Sequence, residues 1–75
     1  MRLKESLEEL LSEFGGDGWR SVTPDQMRRS VEDRIEGVSQ DLTGSEKVMA
    51  GRILRVIRAL DTEGILSYIS EMVLG

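Results

Sequence analysis

The sequence predicts an all-α protein, a bundle of four short helices at about residues 2–14, 24–38, 44–60 and 62–74, forming one helical domain over residues 1–75. Two observations carry this. Apolar side chains recur at helical spacing in each of the four segments. At their ends and in the stretches between them stand glycines, the one proline and residues suited to capping helices. The length of 75 residues agrees with a single small core.

The first segment places Leu3, Leu7, Leu10, Leu11 and Phe14 on one face and Lys4, Glu5, Glu8, Glu9 and Glu13 on the other. Gly15-Gly16 ends it, because glycine takes the left-handed conformation that closes a helix. Residues 15–22 read as a loop. The next start is well marked. Thr23 is an N-cap, Pro24 takes the first helical position, Gln26 completes a capping box, and Val22 with Met27 forms a hydrophobic staple. The apolar stripe of this second helix is thin: Met27, Val31, Ile35 and Val38, extending toward Leu42. It is therefore expected to pack least deeply, with its end between residues 37 and 42.

Thr43-Gly-Ser-Glu46 reads as a second capping box opening the third helix. On a wheel that starts at Lys47, Met49, Ala50, Ile53, Leu54, Val56, Ile57 and Leu60 occupy about 180° to 340°, and Lys47, Arg52, Arg55 and Arg58 about 0° to 140°. So wide an apolar arc predicts the central helix of the core. Continued through Asp61-Thr-Glu-Gly64, the apolar arc of Ile65, Leu66, Tyr68, Ile69, Met72 and Val73 would be turned by about 140°. The chain must therefore break there, with Asp61 or Thr62 capping a fourth helix. The third and fourth helices are expected to form an αα-hairpin carrying most of the core.

Composition excludes much chemistry. There is no Cys and no His, so there is no disulfide, no thiolate nucleophile and neither of the usual zinc ligands. The expectation is a protein that is not an enzyme, with no cofactor and no metal. Neither a membrane span nor a signal peptide is read, and a cytoplasmic location is expected. Net charge is −4, but it is unevenly placed. Residues 1–46 carry 6 basic and 11 acidic groups, whereas residues 47–60 carry 4 basic and none acidic.

Two stretches resemble known families over short spans. Residues 34–43, Arg-Ile-Glu-Gly-Val-Ser-Gln-Asp-Leu-Thr, resemble the turn of bacterial helix-turn-helix proteins, which implies DNA reading. Asp33 stands where that family has a small buried residue, and the would-be recognition helix carries Asp41 and Gly44. Residues 13–21 are similar to the Gly-Gly-Asp-Ser stretch of peptidyl carrier domains, whose Ser bears a phosphopantetheine arm. Gly18 holds that position here and offers no nucleophile. The same glycines lack the Lys and Ser/Thr of a phosphate-binding loop.

The function expected from the sequence is a non-enzymatic protein–protein interaction or regulatory module, self-associating as a homodimer. The last two helices carry more apolar surface than their thin neighbours would cover. Leu66, Tyr68, Met72 and Leu74 are the expected partner-binding residues. Trp19 joins them if it stands exposed rather than folding back over the core. The alternative is nucleic-acid or phosphate binding through Lys47, Arg52, Arg55 and Arg58. Paired carboxylates such as Glu5 with Glu9 and Glu9 with Glu13 share a helix face and read as solvated surface.

Overall fold

A computed structural model describes residues 2–74. It contains four α-helices and no strand among the described residues: α1 (Arg2–Glu13), α2 (Pro24–Val38), α3 (Ser45–Val56) and α4 (Thr62–Leu74). Its radius of gyration of 11.5 Å matches the roughly 11 Å expected of a compact chain of this length.

The core is built by α1, α2 and α4, which pack against one another pairwise. Leu3, Leu7 and Leu10 come from α1, Met27, Val31 and Ile35 from α2, and Ile65, Ile69 and Val73 from α4, all buried. Two expectations are corrected here. The second helix is not the shallow one, because its thin stripe is buried at Met27, Val31 and Ile35, with Met27 and Val31 wholly inaccessible and Val38 half-buried. Nor do the third and fourth helices carry most of the core. α3 lies to the side, against α2, and buries only Ala50 and Ile53, with Ile57 just beyond it. Its wide apolar arc is covered along the middle alone, so Met49, Leu54, Val56 and Leu60 remain half-buried.

The helix starts also divide. Thr23 caps α2 as the sequence requires, its hydroxyl accepting from the Gln26 N–H at 3.2 Å while Gln26 accepts from the Thr23 N–H at 3.0 Å. Asp61 caps α4, accepting from the Gly64 N–H at 2.7 Å. Thr62 is instead buried, and its hydroxyl donates to the Val22 carbonyl at 2.8 Å. The capping box predicted at Thr43 does not form. Gly44 takes the N-cap position at φ +55°, a left-handed value that favours glycine and gives no capping side chain. Glu46 turns away from its own helix and accepts the Leu3 N–H at 3.3 Å, capping α1 instead.

The three connections that follow the glycine bend share one design. A 3-10 turn (Gly18–Ser21, Ser39–Asp41 or Ile57–Ala59) leads into an apolar residue in extended conformation, Val22, Leu42 or Leu60. That residue points inward, and a polar residue then precedes the next helix: Thr23, Thr43 or Asp61. The loop expected at residues 15–22 thus contains a 3-10 turn. The third helix, expected to reach residue 60, stops at Val56 and tightens.

Candidate interaction surface

The partner-binding residues expected on the last helix are not gathered into one patch. Ile65, Ile69 and Val73 form the buried row of α4. Leu66 and Leu74 follow each other at eight residues on one flank, and Tyr68 and Met72 at four residues on the other. Leu66, Tyr68 and Met72 are half-buried against the core, and only Leu74 stands out, at 84% exposure. The surplus of apolar surface expected on α4 is thus mostly absorbed by α1 and α2.

Trp19 is half-buried, packing on the core while Arg20 stacks over its ring at 5.2 Å. Its outer edge and Leu66 line a shallow groove of about 450 Å³ together with Glu63, Ser67, Ser70 and Glu71. The structure therefore brings Trp19 to Leu66 and leaves Tyr68 and Met72 on the far flank.

The basic residues behave differently. Lys47, Arg52, Arg55 and Arg58 are all exposed. No carboxylate among the described residues lies within 4.0 Å of any of them. Three other arginines are engaged, while Arg2, Lys4 and Arg29 are likewise without a carboxylate within 4.0 Å among the described residues. Arg20 and Arg28 pair locally with Asp17 and Asp25. Arg34 reaches from α2 to α1, bonding Glu9 at 3.0 Å and Glu13 as well. The carboxylates that share a face of α1 are thus used as a clasp between helices.

Two further residues belong to the basic face and were not singled out from the sequence. Val48 is 66% exposed, and a Cβ added at Gly51 would meet nothing within 4 Å. The signal was present, since both fall at about 100° and 40° on the wheel, inside the basic arc. Beside this face runs a groove of about 410 Å³ between α2 and α3, lined by Glu32, Asp33, Ile35, Glu36, Ser39 and Leu54. Its carboxylates have no basic partner within 4.0 Å among the described residues. Only the helix pairing reveals this groove, because Leu54 joins the α2 residues from another helix.

The helix-turn-helix resemblance has no matching geometry. Gly37 lies inside α2 rather than in a turn, and the chain bends at Gly44 instead. Among the described residues no helix is long and apolar enough to cross a membrane. Comparison with models of known protein families, with curated proteins and with solved structures gives no match.

Proposed function

We propose that this chain is a non-enzymatic protein-interaction module whose contact surface is the exposed face of α3. One observation carries the reading. Lys47, Arg52 and Arg55 on α3, and Arg58 in the 3-10 turn that follows it, stand with no ion-pair partner among the described residues, around an exposed Val48 and an uncovered Gly51. A face of unpaired charge around an apolar centre suits a partner of opposite sign, because charge complementarity selects partners and speeds encounter. The flank of α4 with Trp19, Leu66 and Leu74 supplies a second surface.

A protein partner is favoured over a nucleic acid by what borders the face. Glu32, Asp33 and Glu36 line the adjacent groove and would meet a phosphate chain extending past α3. The face holds no aromatic residue for base stacking, and the whole chain is at −4.

A photo-cross-linking amino acid at Val48, compared with one at the exposed Ser12 of α1, tests the reading in cells. Protein adducts at Val48 that vanish in the Arg52→Glu, Arg55→Glu variant support it. Adducts to nucleic acid alone would move the function to phosphate binding. Equal adducts at both positions, or none at Val48, would end the proposal.

A further inference from the structure

Resting on that reading of α3, we infer that the occupant of its basic face is a second copy of this chain, docked by its own α2–α3 groove. The basic face and the acidic groove are neighbours on one surface. Leu54 forms the α3 wall of the groove, Lys47 and Gly51 follow it around the helix within about 60°, and Arg58 comes in the 3-10 turn just beyond. When patches of opposite sign lie side by side, a two-fold axis between them sets each patch against the other's complement, and the contact is made twice. The chain thus carries both halves of the match: Lys47, Arg58 and, farther round, Arg55 on one side, Glu32, Asp33 and Glu36 on the other, with Arg52 about 160° from Leu54 and outside the contact.

The backbone at the centre permits the approach. Gly51 costs an exposed helix about 1 kcal/mol relative to Ala, and nothing among the described residues packs over it. In the dimer that gap admits the α3 of the second copy, and Val48, one turn away, gains an apolar neighbour. Within the monomer, Arg34 already occupies Glu9 and Glu13. Among the carboxylates with no basic partner within 4.0 Å in the described residues, Glu32, Asp33 and Glu36 are the ones that share a groove with α3.

The contact is small. α3 spans roughly 18 Å at 1.5 Å per residue, so the interface falls at the low end of stable sizes, and a micromolar or weaker dimer is expected. Because its pairs are surface ion pairs, the dimer is salt-sensitive.

Sedimentation equilibrium of the full chain tests this in low and high sodium chloride, with Arg55→Glu and Glu36→Arg prepared separately. The wild type should dimerise in low salt and lose at least about tenfold in association at high salt. Each single variant should fall to monomer, since each sets like charges against each other. An equimolar mixture of the two should regain the dimer. In a mixed pair the two substituted side chains meet with their signs exchanged, and the unsubstituted Arg55 and Glu36 meet as in the wild type. A wild type that stays monomeric in low salt overturns the inference, as does a mixture no better than its parts. A dimer indifferent to both variants overturns it too and moves the contact elsewhere. If the wild type is monomeric while Val48 still captures a different protein, self-docking fails and the module reading stands. If both are absent, both fail.

Discussion

The division between the α1–α2–α4 core and the outlying α3 makes a quantitative claim. Ile69, at the middle of the buried row of α4, is wholly inaccessible, whereas Val48 on α3 is 66% exposed. Ile69→Ala removes three carbons, worth about 2.4 kcal/mol of transfer free energy at about 0.8 each, and the cavity left adds about 1 kcal/mol or more. The expected loss of about 3–4 kcal/mol is a large share of the roughly 4–11 kcal/mol that a 75-residue domain holds in all. Val48→Ala loses about a third of a smaller side chain's burial and gains helix propensity, so its net effect lies within about 0.5 kcal/mol of zero. Urea unfolding followed by far-ultraviolet circular dichroism reads both, at two protein concentrations so that association does not enter the comparison. The thermal midpoint of Ile69→Ala should fall by at least about 12 °C, at roughly 4 °C or more per kcal/mol for a domain this small. A loss below about 1 kcal/mol at unchanged slope, or one no larger than that of Val48→Ala, would refute the assignment of α4 to the centre of the core.

Other outcomes follow from single contacts. Thr23→Ala removes the acceptor for the Gln26 N–H and should cost about 1 kcal/mol in the same unfolding assay. Thr62→Val keeps the shape but strips the hydroxyl that donates to the Val22 carbonyl, so a loss of about 1–2 kcal/mol is expected, against little change for Thr62→Ser. Gly51→Ala adds a Cβ into open space within α3 and should stabilise the monomer by about 0.5–1 kcal/mol, measured at dilution where dimer is absent. Arg34→Met breaks the clasp to Glu9 and Glu13. Because those carboxylates are well exposed, the loss should stay near or below about 1 kcal/mol and shrink further in high salt.

Helix positions were largely legible because the signals were local. The Thr23-Pro24-Asp25-Gln26 start writes its own geometry, and the rotation of the apolar arc across Asp61–Gly64 forces a break whatever the helices pack against. Depth of burial was not local. A narrow stripe on α2 and a broad one on α3 suggested which helix was central, yet the narrow stripe is flanked by α1 and α4 and the broad one is not. Stripe width records what a helix offers, and the partners it meets decide what is covered. Glu46 shows the same limit: the spacing to Thr43 fitted a capping box, but an orphan N–H of α1 lay within reach from far along the chain. The basic face could be read at once because exposure needs no partner, while the acidic groove beside it depends on Leu54 coming from a different helix.

The joints that end on Val22, Leu42 and Leu60 are each anchored by an inward side chain, so none of them works as a free swivel. The link between α1 and the rest is made differently, through Gly15, Gly16 and Asp17, all exposed and contributing nothing to the core. A backbone scission there would sever no anchored joint. The amino-terminal segment alone is too short to hold a helix in water, but the furrow that receives Leu3, Leu7 and Leu10 is built wholly from the other piece, with Arg34 waiting at its rim. Cleaved in two, the molecule retains the means to reassemble itself.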